Sequence, residues 1–113
     1  MNLSSKEVNG ITVIGVEGSV LGGPDATALN ELLNNLAEKG KKKVILDLGA
    51  VHTMNSSGLS MLIAALTTLK NAGGTLKVAG ASEKIRGLFV ITKLSTVFEM
   101  HTSVKKAAAS FQK

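Results

Sequence analysis

The chain has 113 residues, of which 44% are hydrophobic and 19% charged, a composition typical of one folded core rather than a disordered segment. It contains no cysteine, which excludes disulfides, thiol nucleophiles and thiolate-bound metals. The first residues lack the apolar run of a signal peptide, and no apolar stretch approaches the length of a membrane span. We therefore expect one domain over residues 1–113, in the cytoplasm, without a metal, a cofactor or membrane insertion.

The net charge of +5 is unevenly distributed along the chain. Residues 1–56 carry five lysines and six acidic residues, whereas residues 57–113 carry eight basic residues and two acidic ones. We expect no nucleic-acid partner, because aromatic residues make up 3%, all of them Phe, and offer no stacking platform. The basic half suits an acidic protein partner, which Lys70, Lys84 or Arg86 would steer.

Hydrophobic periodicity predicts a β-hairpin and a helix at the start of the chain. Asn2–Val8 is expected to form a weak edge strand, and Asn9-Gly10 is a typical hairpin turn. A second strand follows from Ile11 and is expected to end at Gly18, before a loop through Gly22–Asp25. The next segment has leucines at the i, i+3, i+4 and i+7 spacing of an amphipathic helix. These leucines are Leu29, Leu32, Leu33 and Leu36.

The middle of the chain predicts a buried strand, a loop and a second helix. Val44–Leu48 is a nearly continuous apolar run, as expected for a strand covered on both faces. We expect Gly49–Asn55 to form a loop, with His52 exposed on it, and a helix to start at Ser56. The helix is indicated by a second apolar stripe, Leu59, Leu62, Ile63, Leu66 and Leu69.

The last third predicts two further strands and two further helices. Thr75–Ala79 alternates as a strand, and Ser82 is placed to cap a helix. Phe98 and Met100 indicate a short strand, and Ser103 is placed to cap a final helix. The order ββαβαβαβα indicates an α/β domain with a mixed, mostly parallel sheet, an N-terminal hairpin and about four helices packed against it.

The residue types of a hydrolase triad occur in the middle of the chain, as Asp47, His52 and Ser56. However, Ser56 is not in a G-x-S-x-G elbow, and Asp47 lies inside the apolar strand. The glycine pairs at Gly22 and Gly73 do not have the spacing of a phosphate-binding loop. A hydrolase acting through Ser56 is therefore a weak alternative, and the sequence does not predict an enzyme.

The most informative segment is Asp47–Leu59, in which a buried strand leads to two hydroxyls at a helix start. Either Ser56 or Ser57 is expected to cap the helix, which stabilises a protein by about 1 kcal/mol. Backbone N–H groups and the positive end of the helix dipole converge at such a position, so it tolerates a phosphate well. A phosphoserine there would change the charge of the surface without unfolding the helix.

This segment resembles that of the STAS family, the anti-sigma-factor antagonists of bacterial partner-switching systems. In that family a strand ending in Asp-Leu is followed by a loop and by Met-Asp-Ser-Ser/Thr-Gly-Leu at a helix start. The chain has Asp47-Leu48 and then Met54–Leu59. The resemblance extends over nearly the whole chain, through Gly18, the turn at Asn71–Gly74 and the segment Ile85–Leu94.

The resemblance implies that Ser56 is the phosphorylated residue, supported by Asn55, Ser57 and Gly58. It implies that the dephosphorylated protein binds an anti-sigma factor that is also a serine kinase of the histidine-kinase-like ATPase fold. Binding would release the sigma factor, phosphorylation would break the complex, and a serine phosphatase would restore it. The protein would then be a substrate and a binding module, with no catalytic residue of its own.

Two positions depart from the family pattern. Asn55 stands where the family usually has Asp. The family also usually has an Asp in the loop after the second strand, where this chain has Leu21, Gly22 and Gly23, so that Asp25 is the possible substitute. Asn keeps the shape of Asp but not its charge. These departures favour an alternative, a STAS scaffold subunit of a larger signalling or lipid-transport complex that is not phosphorylated.

Overall fold

The computed structural model describes residues 1–112, which form five strands, four α-helices and one short 3₁₀ helix. In chain order these are β1 (Asn2–Val8), β2 (Ile11–Val20), α1 (Pro24–Glu38), β3 (Lys43–Met54), α2 (Ser56–Asn71), β4 (Thr75–Ala79), α3 (Glu83–Ile91), the 3₁₀ helix (Leu94–Thr96), β5 (Glu99–His101) and α4 (Val104–Ser110). The predicted order of strands and helices is confirmed.

The strands form one mixed sheet in the spatial order β1-β2-β3-β4-β5. β1 pairs antiparallel with β2, and the remaining neighbours are parallel. Parallel strands end at the same side of a sheet, so the segments that follow β2, β3, β4 and β5 lie together. We call this side the carboxyl edge and define it by residues 21–23, 55–58, 80–83 and 102–103. The predicted hairpin and mostly parallel sheet are confirmed.

The two faces of the sheet are covered unequally. Helices α1, α2 and α3 pack on one face, around fully buried side chains such as Ile14, Leu46 and Phe89. The short helix α4 packs on the other face, where Ala107 meets a smaller apolar cluster. The strand residues of this smaller cluster are Ile11, Val13, Ile45 and Ala79. Each fully buried Leu, Ile or Phe contributes roughly 1.5–3 kcal/mol, so the three-helix face carries most of the stability.

Strands β2 and β3 are longer than the sequence indicates. β2 continues past Gly18 to Val20, and β3 continues to Met54, where Val20 and Met54 are partners. The expected loop over Gly49–Asn55 is therefore wrong, and His52 lies on an exposed position of β3. The two strands extend each other by pairing, with register shifts beside Gly18 that locally bend the ladder. The loop after β2 is correspondingly short, because α1 begins at Pro24.

Candidate phosphorylation and partner-binding site

Helix α2 starts at the carboxyl edge and is capped by Asn55. The Asn55 backbone is extended, and its side-chain Oδ1 accepts a hydrogen bond from the Gly58 backbone N–H at 2.8 Å. The Asn55 carbonyl accepts the next one, from Leu59 N–H at 2.9 Å. The expectation that Ser56 or Ser57 caps the helix is wrong, because both serines already lie within the first helical turn. Asn and Ser are equally good caps, so residue type alone does not distinguish them.

This arrangement leaves Ser56 and Ser57 exposed at the start of a helix fixed in place. The first N–H groups of a helix have no intrahelical acceptor, and the one on Gly58 is already used by Asn55. The first turn of α2 contains no acidic residue. The backbone donors of Ser56 and Ser57, together with the positive end of the helix dipole, therefore favour an anion at this surface.

Gly58 fixes the position of the helix start against the sheet. A Cβ built on Gly58 would lie 1.9 Å from the Val20 carbonyl oxygen and 3.1 Å from Met54 Cγ. The same carbonyl oxygen accepts a hydrogen bond from the Asn55 N–H at 3.4 Å. Only a residue without a Cβ allows this approach, so the first turn of α2 sits directly on the end of β2.

The loop after β2 contacts the same serine pair. A Cβ on Gly22 would lie 2.9 Å from Ser57 Cβ, and Gly22 and Gly23 have φ values of 85° and 67°, in the region that favours glycine. Leu21, at the start of this loop, is 50% exposed. The sequence predicts a loop through Gly22–Asp25 but carries no signal for this contact with Ser57. The loop that meets Ser57 through Gly22 therefore also carries an exposed apolar residue, one position earlier.

Asp25 follows the Gly22 loop closely in sequence but forms no hydrogen bond or ion pair with the serine pair in the described structure. It stands in the first turn of α1, half-buried, and its Oδ2 is 3.7 Å from the Met1 amino group. Among the hydrogen bonds and ion pairs of residues 1–112, none connects Asp25 with Asn55–Gly58. A supporting role of Asp25 at the serine pair therefore stays a prediction that rests on none of these contacts.

The residues of the hypothetical hydrolase triad are not assembled. Asp47 accepts a hydrogen bond from its neighbour Gly49 at 3.0 Å, seven residues before the end of β3. At about 3.3 Å per strand residue, that places it roughly 20 Å from the start of α2. His52 is exposed on β3, and its carbonyl accepts a hydrogen bond from Lys84 Nζ at 3.4 Å. The geometry offers Ser56 no base and orienting acid in triad order.

Residues 1–112 contain no group of three His, Asp or Glu side chains that could hold a metal ion. None of the helices in this range combines the length and the apolar character needed to cross a bilayer.

The chain is a small α/β domain with a mixed five-stranded sheet and a serine pair at the start of helix α2. Comparison with known proteins identifies the family to which this domain belongs. The family model of the STAS domain matches residues 2–107. The chain belongs to the STAS domain family, as its resemblance in sequence predicts.

Three similar proteins illustrate the relationship. A Bordetella bronchiseptica protein named as an anti-sigma factor antagonist, BtrV, is 27% identical over 112 residues, which cover 99% of this chain and 96% of that protein. The crystal structure of a Thermotoga maritima protein described as an anti-sigma factor antagonist superposes with a TM-score of 0.87 at 17% identity, covering 98% and 95% of the two chains. The phosphorylated form of the Bacillus cell fate determinant SpoIIAA gives 0.72 at 16% identity, covering 97% and 99%. The chain thus has the fold of anti-sigma factor antagonists.

The cap at Asn55 gives the first testable prediction. Asn55→Ala removes the acceptor for the Gly58 N–H and is expected to lower the free energy of unfolding by about 1 kcal/mol. Asn55→Asp retains an acceptor of the same shape and adds a charge that the helix dipole favours, so stability should be kept or slightly increased. Urea unfolding at pH 7 measures both. Asn71→Ala, at the exposed end of the same helix, is the matched control and should change little.

Proposed function

We propose that this chain, acting as one STAS domain over residues 1–113, is an anti-sigma factor antagonist switched by phosphorylation of Ser56. The unphosphorylated protein binds an anti-sigma factor that is also a serine kinase of the histidine-kinase-like ATPase fold, and so releases the sigma factor. Phosphorylation of Ser56 by that kinase breaks the complex, and a serine phosphatase restores it. The chain is the substrate and the binding module in this scheme, in the cytoplasm, and catalyses no reaction.

The observation that carries the proposal is the exposed Ser56 hydroxyl on a helix start that the sheet holds rigidly. Asn55 caps the helix and Gly58 seats it on β2, so a modification at Ser56 changes charge at a fixed surface. Gly22 lies against Ser57, and Leu21, the residue before it, is an exposed apolar side chain on the same loop. A partner that covers this surface would bury Ser56, and a phosphate there would have to be desolvated on binding.

The neutral side chain at position 55 is compatible with such a switch. Asn55 provides the cap without placing a carboxylate next to the serine. A phosphate on Ser56 would meet backbone N–H donors and no acidic residue in the first turn. SpoIIAA, which shares this fold, has been solved in phosphorylated and unphosphorylated forms, with TM-scores of 0.72 and 0.70 against this chain. A STAS fold therefore accommodates both states in that protein.

Substitution of Ser56 tests the switch in vitro. Ser56→Asp is expected to weaken binding to the cognate anti-sigma factor about 100-fold in a calorimetric titration, because a buried unpaired charge costs several kcal/mol. Ser56→Ala should bind as the wild type does and should take up no phosphate from the kinase. Ser95→Asp adds the same charge in the 3₁₀ helix before β5, opposite the carboxyl edge, and should leave binding unchanged. Equal binding by Ser56→Asp and Ser95→Asp would contradict the proposal.

Phosphopeptide mapping of the protein from its native cells, in growth and under stress, tests the same switch in vivo. One phosphate on Ser56, with an occupancy that differs between the two conditions, is the expected result. Phosphate on Ser57 would move the switch by one residue. A chain unmodified in every condition would favour a second candidate function, that of a STAS scaffold subunit in a larger signalling or lipid-transport complex. The neutral Asn55, at the position where the family usually has Asp, is the observation that favours this alternative.

A further inference from the structure

A small cavity opens at the carboxyl edge between α3 and the end of β5, away from the serine pair. Its volume is about 100 Å³, and it is lined by Ala81, Arg86, Met100, His101 and Thr102. A cavity of that volume holds several water molecules, since one needs roughly 10–15 Å³ of such space. A carboxylate or a phosphate group is of comparable size, whereas a nucleotide or a drug-sized ligand is far larger.

Among residues 1–112, no carboxylate forms an ion pair with Arg86, the cation at this cavity. The four ion pairs found among residues 1–112 use other residues, and the Arg86 side chain is exposed on α3. Glu83 lies one turn earlier on the same helix but forms none of these pairs. A guanidinium presents a planar fork of N–H donors that matches the two oxygens of a carboxylate or phosphate.

The neighbouring groups do not cancel this positive charge. Glu99 is the nearest acid in sequence to the β5 end of the cavity, and its Oε2 is held by Lys77 Nζ at 2.9 Å and by His101 Nε2 at 2.6 Å. Its charge is therefore already compensated on the α4 face of the sheet. Thr102 adds an exposed hydroxyl at the cavity, and Lys84 adds a second cation on α3, beside the end of β3.

We infer that this cavity is a binding site for one small oxyanion, a carboxylate or a phosphate, with Arg86 as its anchoring cation and the Thr102 hydroxyl as a second donor. The site is independent of Ser56 and does not require that residue to be phosphorylated. An acidic side chain of a bound protein and free inorganic phosphate offer the same chemistry to it. Acetate separates these two sources. It carries the carboxylate of an acidic side chain, so a site for such a side chain binds acetate, whereas a site specific for phosphate does not.

The test is an NMR titration of the ¹⁵N-labelled full chain at pH 7, with sodium phosphate and separately with sodium acetate, at constant ionic strength kept by sodium chloride. The expected result is saturable shifts of the Arg86 Nε–H and Thr102 N–H signals, with a Kd on the order of 1 mM. Arg86→Gln should raise that Kd at least about tenfold. The Kd of Arg86→Lys should lie between those of the wild type and Arg86→Gln, since lysine keeps the charge but lacks the planar pair of N–H donors. Lys70→Gln removes one charge from the far end of α2 and should bind as the wild type does.

The titration curves either support or overturn the anion site at Arg86. Saturation by both anions supports the site with a carboxylate as sufficient ligand, and saturation by phosphate alone supports it with phosphate as the ligand. Shifts that rise linearly with salt, that centre on Ser56 and Ser57 instead, or that persist unchanged in Arg86→Gln overturn it. Because Arg86 is exposed, the variant is expected to keep its fold, which the dispersion of the same spectra checks. The assay uses no anti-sigma factor, so its failure is distinguishable from a failure of the Ser56 switch.

Discussion

Gly58→Ala is expected to lower the free energy of unfolding by about 3 kcal/mol or more and, under the function proposed above, to abolish binding of an anti-sigma factor. The added Cβ would lie 1.9 Å from the Val20 carbonyl oxygen, which is backbone and cannot rotate away. Either α2 moves off the end of β2 or the β2–β3 ladder opens there. An extra methyl group packed against side chains, which can move, typically costs about 1–3 kcal/mol of stability. The backbone carbonyl of Val20 cannot move in this way, so we expect a cost at the upper end of that range or above it.

Gly87→Ala is the matched control for that substitution. Gly87 is also a helical glycine, in the interior of α3, but no atom lies within 4 Å of a Cβ built on it. Alanine should stabilise the helix there by up to about 1 kcal/mol, because glycine is the poorer helix former. Thermal and urea unfolding of the two variants should thus shift in opposite directions. A Gly58→Ala protein as stable as the wild type would show that the start of α2 is not seated as described.

The order of elements could be predicted because each one carries its own local signal. The leucine stripe of α1 and the apolar run at the start of β3 have the periodicities of a helix and a buried strand. The serines at Ser82 and Ser103 were also identified as caps, and each accepts the expected hydrogen bond, at 3.3 and 3.1 Å. Local propensity and tertiary structure agree at these positions.

The second half of β3 could not be predicted, because its pairing partner determines it. Gly49 and Asn55, which favour turns, stand at the two ends of this segment, yet the residues between them belong to β3 and pair with the extended end of β2. The alternation of buried Val51 and exposed His52 was a weak strand signal. Register shifts beside Gly18 interrupt it, so the period of two is not maintained.

The candidate site was predicted in part. Ser56 lies at the start of α2 as expected, but the cap on Asn55 and the contact between Gly22 and Ser57 depend on how the ends of β2 and β3 meet. Lys77 is a similar case on the opposite face. Its position in β4 between Leu76 and Val78 indicates solvent exposure, whereas α4 covers it and leaves only 6% of the residue accessible. Sequence periodicity does not say which face a terminal helix will cover.

The buried Lys77 anchors α4 through a polar cluster, and its removal is the second large effect we expect. Lys77 Nζ lies 2.9 Å from Glu99 Oε2, 2.6 Å from Ser110 Oγ and 4.2 Å from the ring centre of Phe111. Lys77→Met fills the same space but removes the ammonium group that donates to both Glu99 and Ser110. We expect a loss of about 1–3 kcal/mol at pH 7, with faster hydrogen exchange in α4, which contributes Ala107 as its one buried residue.

The same cluster makes the free energy of unfolding depend on pH in the acidic range. The hydrogen bond from Lys77, and next that from His101, lowers the pKa of Glu99 from 4.5 to about 2. Because the folded carboxylate holds its proton less tightly than the unfolded one, its contribution is complete above about pH 4.5 and is lost as the pH falls toward 2. The Glu99 side chain is 52% exposed, so solvent screening keeps this contribution modest.

Urea unfolding between pH 2 and pH 7 separates this contribution from general acid denaturation. Glu99→Gln should flatten the fall in unfolding free energy below pH 4.5. Lys77→Met should flatten it less, because His101 still pairs with Glu99 and keeps part of the lowered pKa. Glu17→Gln, at an exposed position of β2, should retain the wild-type slope. The double variant Lys77→Met/Glu99→Gln should be less destabilised than the sum of the single variants, because the two residues interact directly. Additive losses would show instead that α4 is held by its apolar contacts alone.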